Sequence, residues 1–306
     1  MRISAVLWCK DEVALLPYAV AQLLRSGVYS VSIMDDGSTD GTAIALDTLH
    51  AVLPNVHICP RVKNLQDALS MDGPVFGPII ARDRPDWLLV GDPDEFWIPR
   101  TGDLRSLPAL RTCDVLVVDR FNAALSSGKI DPGMIDSQAA LCNLPLVVER
   151  RRMTRAIMAE NPDLRWVEHH DPPKVMVRPD MVASFDLGMH DATSASGAEL
   201  RRGQAGGVLI AHLPFTTFSR FERKIQNIAK VFDRFDADHS GARGWHWRRW
   251  LEIAENGELA QEYARQFFPP KTLNQMRAKG RVATANDIFA RRMAEAAAHK
   301  AQAAET

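Results

Sequence analysis

The chain has 306 residues, 46% of them hydrophobic and 25% charged, and a formal net charge of −1. This composition is typical of an ordinary folded globular protein, and it excludes the disordered and fibrous classes. The charge gives no sign of a nucleic-acid partner, and no apolar run reaches the length of a membrane span.

The N-terminal apolar run ends at Lys10, which makes it too short and too charged for a signal peptide. The four cysteines stand apart, without a Cys-x-x-Cys pair, and this spacing favours reduced structural thiols. We therefore expect a cytoplasmic protein.

The first 120 residues alternate between short apolar runs and helical patterns. Helical periodicity follows the first two strands, with Asp11 and Ser38 or Thr39 as candidate N-caps and Gly27 as a stop signal. Such alternation is typical of an α/β fold with a mostly parallel central sheet flanked by helices, in which ligands bind at the carboxyl ends of the strands. The predicted strands are residues 3–9, 29–34, 56–59, 87–91 and 114–118.

The loop after the second strand, residues 35–42, carries three acids and two glycines. Asp35 and Asp36 stand where that strand ends, and a carboxylate there can accept hydrogen bonds from a base imide or a ribose hydroxyl. A well-capped turn without a ligand is the alternative. Neither Gly-x-Gly-x-x-Gly nor a P-loop pattern is present, which disfavours dinucleotide oxidoreductases and P-loop enzymes.

Three carboxylates follow the fourth strand within four residues: Asp92, Asp94 and Glu95. Negative charge concentrated next to apolar sequence needs a positive partner. Side chains two positions apart on an extended segment point the same way, so Asp92 and Asp94 could converge on one divalent cation, Mg²⁺ or Mn²⁺. Pro93 between them is consistent with a strand that stops here.

Beyond residue 120 the sequence pattern changes twice. Residues 120–207 have shorter apolar runs, and the clearest strands from there to residue 212 are predicted at 175–178, 182–187 and 208–212. From residue 218 the period is helical, with helices predicted at 218–235, 245–267, 271–279 and 285–299. We divide the chain into a catalytic part, residues 1–214, and a helical C-terminal extension, residues 215–306. The catalytic part has a nucleotide-binding half up to about residue 120 and an acceptor-side half after it.

The C-terminal extension is basic, with 16 basic against 11 acidic side chains. Trp245, Trp247 and Trp250 stand beside Arg248 and Arg249, a composition that suits an interfacial contact near a lipid-linked acceptor. Packing of these aromatic side chains into a core is the alternative, and it is the one we favour. Any membrane contact is therefore expected to be peripheral, at the inner face of the membrane, through the basic C-terminal helices.

The acidic motifs, together with Lys-Asp-Glu at residues 10–12, resemble in order and spacing the family 2 glycosyltransferases with the GT-A fold. The branch with this likeness has an Asp-x-Asp-Glu-Phe metal motif, which residues 92–96 match. Asp11 departs from the family pattern, in which Asn is usual. Further matching positions are residues 174–179, His190, residues 212–214 and Lys224.

This resemblance implies a GT-A-type nucleotide-sugar-binding fold and a divalent cation, Mn²⁺ or Mg²⁺, that stabilises the departing diphosphate. Asp94 would bind the metal directly, and Asp92 would bind the metal or the ribose. A later histidine often completes such a site, and His212 is the first choice, with His190 second. The side chains that the resemblance places near the nucleotide-sugar are Lys10, Glu12, Asp35, Asp36, Asp40, Asp92 and Lys174.

An inverting reaction also needs a base to take the proton of the acceptor hydroxyl. The sequence leaves two candidates, Asp191 and Glu149. We expect a glycosyltransferase that moves a sugar from a nucleotide-diphospho-sugar to a saccharide or lipid-linked acceptor, in the synthesis of a surface polysaccharide or glycolipid. The alternatives are a nucleotidyltransferase of similar fold, disfavoured because no Gly-rich basic loop follows the first strand, and an inert sugar-binding or scaffold protein.

Overall fold

The computed structural model describes residues 1–62, 64–234 and 244–304. The strands in these residues are β1 (Ile3–Cys9), β2 (Ser30–Asp35), β3 (Val56–Cys59), β4 (Trp87–Gly91), β5 (Glu95–Pro99), β6 (Val115–Val118), β7 (Arg120–Asn122), β8 (Leu146–Val147), β9 (Lys174–Val177), β10 (Val182–Phe185), β11 (Ala192–Ser194), β12 (Arg202–Gln204), β13 (Val208–His212) and β14 (Val282–Ala283). The helices are α1 (Leu16–Arg25), α2 (Thr42–Val52), α3 (Leu65–Leu69), α4 (Phe76–Asp83), α5 (Gln138–Cys142), α6 (Arg155–Glu160), α7 (Phe218–Arg234), α8 (Trp245–Glu255), α9 (Leu259–Arg265), α10 (Pro270–Ala278) and α11 (Ala285–Ala304).

A seven-stranded sheet forms the centre of the fold, in the order β12-β6-β9-β4-β1-β2-β3. Its strands are parallel except β9, which runs antiparallel between β4 and β6. The predicted α/β class with a mostly parallel central sheet is confirmed. Because β9 runs against its neighbours, its first residue, Lys174, lies at the edge where the parallel strands end.

Helices cover both faces of this sheet. Successive residues of a strand face opposite sides, and in β1 Leu7 packs in a cluster with Leu16 of α1, whereas Val6 packs in another with Phe76 of α4. Burial on two faces explains why the central strands are almost wholly apolar. The polar chemistry of the fold is therefore confined to the strand ends and loops.

A smaller sheet, in the order β5-β13-β7, lies next to the central one. β13 pairs antiparallel with β5 and parallel with β7, so His212 is opposite Glu95 on one side and Asn122 on the other. All three residues are buried. The short turn between β4 and β5, which holds Asp92 and Asp94, thus connects the two sheets.

Four predicted strands have the bounds of β1, β3, β4 and β13. Three helix predictions are wrong in their limits. The N-cap of α2 is Gly41, and not Ser38 or Thr39. α1 begins at Leu16 and is not capped by Asp11, whose φ of 57° is left-handed. The helix predicted at 245–267 is two helices, α8 and α9, because Gly257 turns the chain with a φ of 74°.

The C-terminal region is helical, as predicted. α7 begins at Phe218, and residue 235, the predicted end of that helix, lies outside the described residues. Trp250 is 3% exposed and packs against Trp166 and Phe215, which is the core packing favoured from the sequence. Within the described ranges, no helix is long and apolar enough to cross a membrane.

Candidate functional site

A group of carboxylates lies where β1 and β4 end, and we call it the acidic site: Glu12, Asp92, Asp94 and Glu95. Cations from three elements surround it: Lys174 at the start of β9, Arg120 at the start of β7, and Arg220 and Lys224 on α7. This edge of the sheet is the one that parallel α/β proteins use for ligands. The sequence prediction that both acidic motifs sit at strand ends is confirmed by β2 and β4.

Asp94 is the most enclosed of these carboxylates, at 1% exposure. Its Oδ2 accepts hydrogen bonds from Arg220 at 2.6 Å and from Lys224 at 3.2 Å. Its backbone carbonyl accepts from the N–H of Leu213, which fastens the turn to the end of β13. Among the described residues, Oδ1 has no hydrogen-bond partner, so the carboxylate keeps one oxygen available to a ligand.

The charge of Asp94 is held by its cationic neighbours. Burial alone would raise the pKa of this carboxyl, but Lys224, Arg220 and His212 together hold the pKa well below its usual range. Asp94 is therefore ionised at neutral pH although it is enclosed, and it can act as an anionic ligand.

Arg220 joins two of the carboxylates. Its guanidinium donates to both oxygens of Glu12, at 2.7 and 2.6 Å, and to Asp94. Its remaining nitrogen lies 3.4 and 3.3 Å from the carbonyls of Leu213 and Pro214. This planar fork is a geometry that lysine cannot supply, and it fixes α7 across the site.

Glu95 is buried between two other cations. Its Oε1 accepts from Arg120 at 2.5 Å, and its Oε2 lies 3.3 Å from Lys174. Burial would raise the pKa of Glu95, but Lys174 and Arg120 outweigh it and lower the pKa. Oε2 also accepts the backbone N–H of Asp92, so Glu95 braces the turn from within.

Asp92 and Asp94 differ in surroundings. Asp92 is 41% exposed and 3.3 Å from Lys174, whereas Asp94 is enclosed by α7. The residues between β4 and β5 form a turn, in which the N–H of Glu95 donates to the carbonyl of Asp92. The expectation of an extended segment with both side chains on one side is therefore wrong.

His212 presents one ring nitrogen to Asp94. The amide of Asn122 donates to Asp171, which as a carboxylate can only accept, so its carbonyl oxygen faces His212 Nδ1 at 2.7 Å. This places a proton on Nδ1, so Nε2, which is 3.8 Å from Asp94 Oδ2, carries the lone pair when the ring is neutral. A histidine that donates through its other nitrogen in this way is arranged as metal-bound histidines are.

The loop that holds Asp35, Asp36 and Asp40 is built largely by its own carboxylates. Asp35 accepts from the N–H and hydroxyl of Ser38, and Asp40 accepts from Thr42 at the start of α2. Asp36 is half exposed and pairs with Lys10 and Arg61. Of the three, Asp36 is the carboxylate most open to a ligand.

Three predicted site residues lie outside the acidic site. His190 bonds through Nδ1 to the carbonyl of Pro173, next to Lys174. Asp191 pairs with Arg202 at the surface. Glu149 pairs with Arg281 beside α11, and in the described residues none of these three side chains contacts a carboxylate of the acidic site.

No family model and no curated protein matches the chain. Solved structures similar to it include S. aureus TarS 1-349, with a TM-score of 0.37 and 14% identity over 98% of this chain and 92% of that one. The mannosyltransferase PcManGT from Pyrobaculum calidifontis in complex with GDP-Man and Mn²⁺ has a TM-score of 0.38 and 14% identity over 86% and 73%. Glucosyl-3-phosphoglycerate synthase from Mycobacterium tuberculosis with Mn²⁺, UDP and glucosyl-3-phosphoglycerate has a TM-score of 0.33 and 16% identity, over 78% of this chain and 82% of that one. At this level of similarity, assignment of the site rests on the residues of the chain itself.

The fit to a divalent cation can be judged from these contacts. In the described part of the chain, no group of three His, Cys, Asp or Glu side chains is arranged to hold a metal ion. Asp94 and His212 nevertheless fit as a pair of ligands, because each keeps a free donor atom, Oδ1 and Nε2. Two protein ligands suffice for an ion such as Mg²⁺ that takes its remaining oxygens from phosphates and water.

Sequence reasoning missed four residues of this site: Arg120, Asn122, Asp171 and Arg220. Asp171 follows two histidines in the chain, and these residues form no metal site in the described part of the structure. One signal could have found Arg220, since it precedes Lys224 by four positions and so shares its face of α7. Arg120 and Asn122 lie in a three-residue strand that carries no sequence signal.

Proposed function

We propose that the chain is a metal-dependent, inverting glycosyltransferase of the GT-A type, which moves a sugar from a nucleotide-diphospho-sugar to a hydroxyl of a glycan or glycolipid. One observation carries this proposal: Asp94 is an enclosed, ionised carboxylate with a free oxygen, next to a histidine whose Nε2 lone pair is free. Folding alone gives no reason to bury such a pair. The order of the acidic motifs supports the same assignment.

Asp94 and His212 would hold Mn²⁺ or Mg²⁺, with Asp92 within the same turn as a further oxygen donor. When bound, the cation would stabilise the negative charge that grows on the departing diphosphate. The tautomer imposed by Asn122 keeps Nε2 of His212 available for this role. His190, bonded to Pro173, remains the second choice.

The diphosphate would lie against ammonium groups at the rim of the site. Lys224 is 34% exposed and Lys10 is 31% exposed, so both can turn towards a ligand at small cost. Lys174 is buried between Asp92 and Glu95, where it holds the turn in place. Arg220 is enclosed and committed to Glu12, which gives it a positioning role.

The nucleoside would lie over the loop that follows β2. Asp36 can accept a ribose hydroxyl or a base N–H, because its exposed carboxylate is held by Lys10 and Arg61 at the surface. Asp35 and Asp40 shape the loop through Ser38 and Thr42. The proposed contacts are thus divided between one ligand-facing acid and two supporting ones.

The proton of the acceptor hydroxyl needs a base. Of the two candidates, Asp191 is the one we retain first, because its neighbour His190 is bonded to the residue before Lys174. Glu149 lines a separate cavity beside α11. The acceptor would then approach from the side of the β10–β11 pair.

The test is a comparison of wild type with Asp94→Asn, using Asp180→Asn, an exposed carboxylate, as the matched control. Mn²⁺ binding is measured by electron paramagnetic resonance, and UDP-, GDP-, CDP- and dTDP-sugars are offered with and without Mn²⁺. We expect one donor to be hydrolysed or transferred with release of the nucleoside diphosphate, and Asp94→Asn to lose at least 100-fold of that rate. Release of pyrophosphate from a nucleoside triphosphate would instead indicate a nucleotidyltransferase. Binding without turnover would indicate an inert protein.

A further inference from the structure

A second concave site lies on the other side of β7, between the β8–β14 pair and α11. It is a cavity of about 380 Å³, a volume within the range of small-molecule pockets. The residues that line it are Val148, Glu149, Lys279, Gly280, Arg281, Ile288, Arg291, Arg292 and Glu295. Four of these nine side chains are cationic and two are anionic, so the lining favours an anion.

Two of the four cations are already paired with carboxylates. Arg281 pairs with Glu149 at 2.5 Å and with Glu168 at 3.3 Å, and Arg292 pairs with Asp119 at 2.5 Å. These contacts hold the guanidinium groups in fixed positions at the wall of the cavity. They also neutralise Glu149, one of the two carboxylates of the lining.

The other two cations form no ion pair in the described residues, although Arg291 lowers the pKa of Asp287 one helical turn before it. In residues 1–62, 64–234 and 244–304, no carboxylate lies within 4.0 Å of the side-chain nitrogens of Lys279 or Arg291. The chain turns at Gly280, whose φ is 69°, and a Cβ there would stand 3.5 Å from the guanidinium of Arg291. Arg291 therefore lies against the turn that ends α10, beside Lys279. Both guanidinium and ammonium groups bind phosphate oxygens in proteins.

We propose that this cavity binds a small phosphorylated anion through Lys279 and Arg291. The site is separate from the acidic site and does not depend on the proposed glycosyl transfer. Its paired cations nevertheless reach towards the acidic site, because Asp119, the partner of Arg292, directly precedes Arg120 in the chain. Successive residues of β7 thus face the two sites, with Arg120 bonded to Glu95 and Phe121 lying under Arg292.

The test is calorimetric titration of the full chain with inorganic pyrophosphate, without divalent cations and at low ionic strength. Lys279→Gln/Arg291→Gln is compared with two double variants of the same type. Lys271→Gln/Arg277→Gln removes the same charge from exposed positions of α10, and Lys10→Gln/Lys224→Gln removes it from the acidic site. We expect the affinity to fall at least tenfold in the cavity variant and to stay within twofold in Lys271→Gln/Arg277→Gln, whereas Lys10→Gln/Lys224→Gln reports any separate binding at the acidic site.

Equal affinity in wild type and the cavity variant would overturn the proposal, as would a loss confined to Lys10→Gln/Lys224→Gln. A phosphate group could also arrive on a lipid headgroup, so flotation with phosphatidylglycerol and phosphatidylcholine vesicles forms a second arm. Binding to phosphatidylglycerol that is lost in the cavity variant, without binding of pyrophosphate, would support the site with a lipid as its source. Absence of binding to both probes would overturn it.

Discussion

The guanidinium of Arg220 lies 2.6 Å from the carboxylate of Asp94, although 126 positions separate the two residues in the chain. The same guanidinium binds Glu12, which is 208 positions away. One side chain of α7 thus holds together carboxylates from the loop after β1 and the turn after β4. The shape of the acidic site depends on this contact as much as on the sheet.

Arg220→Met should be strongly destabilising. It leaves Glu12 and Asp94 enclosed without their shared cation, and breaking a buried ion pair in this way costs roughly 3–5 kcal/mol. The free energy of unfolding in urea measures the effect. Arg223→Met, on the same helix and partly exposed, is the control and should change stability by less than about 1 kcal/mol. Similar losses in the two variants would contradict this role of Arg220.

Lys224→Gln should separate binding from stability. Because the ammonium is 34% exposed, its loss should cost less than about 1 kcal/mol of unfolding free energy. Binding of a nucleoside diphosphate should weaken about tenfold, equivalent to about 1.4 kcal/mol. Isothermal titration of wild type, Lys224→Gln and Lys230→Gln tests this, with the last as an exposed control on α7. Unchanged affinity for every nucleotide would remove Lys224 from the donor site.

Asn122→Ala should weaken metal binding without removing a metal ligand. The substitution removes the hydrogen-bond acceptor of His212 Nδ1, so the tautomer with a lone pair on Nε2 is no longer fixed. Loss of such a supporting contact typically lowers metal affinity 10–100-fold. Mn²⁺ titration followed by electron paramagnetic resonance gives the affinity, and Asn143→Ala, which changes an exposed amide, is the control. An unaltered Mn²⁺ affinity would mean that the ring orientation is set by other contacts.

Arg120→Met should make stability depend on pH in a new way. In wild type the pKa of Glu95 is lowered, so its contribution to stability is present above the unfolded pKa of about 4.3 and is lost as the pH falls. Without Arg120, burial should raise the pKa of Asp171, for which Arg120 is the largest lowering charge, whereas Glu95 keeps Lys174. The variant should then bind protons on folding, and its stability should recover as the pH falls from 8 to 5.

Melting temperatures of wild type and Arg120→Met across that interval provide the measurement. The gap between the two should be largest at pH 8, where breaking the buried pairs costs about 3–5 kcal/mol. It should narrow towards pH 5. A gap that is constant with pH would show that lost packing, and not uncompensated charge, causes the destabilisation. Arg111→Met, at an exposed position, should leave the profile unchanged.

The sequence was informative where local pattern decides structure. β4 and β13 are apolar runs with polar ends, and α7 has a clear helical period, so the limits of the two strands and the start of the helix were predictable. The direction of β9 was not, because an apolar run has the same composition in either direction. The antiparallel direction of β9 places Lys174 beside Asp92. This direction depends on the pairing of β9 with β4 and β6, which are distant in the chain.

The left-handed backbone at Asp11 also has no local signal apart from the residue type. Asn and Asp adopt positive φ more readily than most residues, which suits both this Asp and the Asn usual in the resembling family. Its carboxylate accepts from the N–H of Thr39 and from Asn227, so it ties the loop after β1 to α7. Contacts between residues this far apart in the sequence are set by tertiary packing, which single-sequence patterns do not record.

The bridge from Arg220 to Glu12 and Asp94 bears on the order in which the protein is made. Ribosomes release the N-terminal part first, and domains tend to fold as they emerge. Both acids leave the ribosome more than a hundred residues ahead of their cation. During that interval the nascent sheet can pair its apolar strands, but its acidic edge must stay hydrated and open. Closure of the site by α7 is thus one of the last steps of maturation. A nascent chain stalled before residue 220 would carry the two acids without the guanidinium that binds both of them.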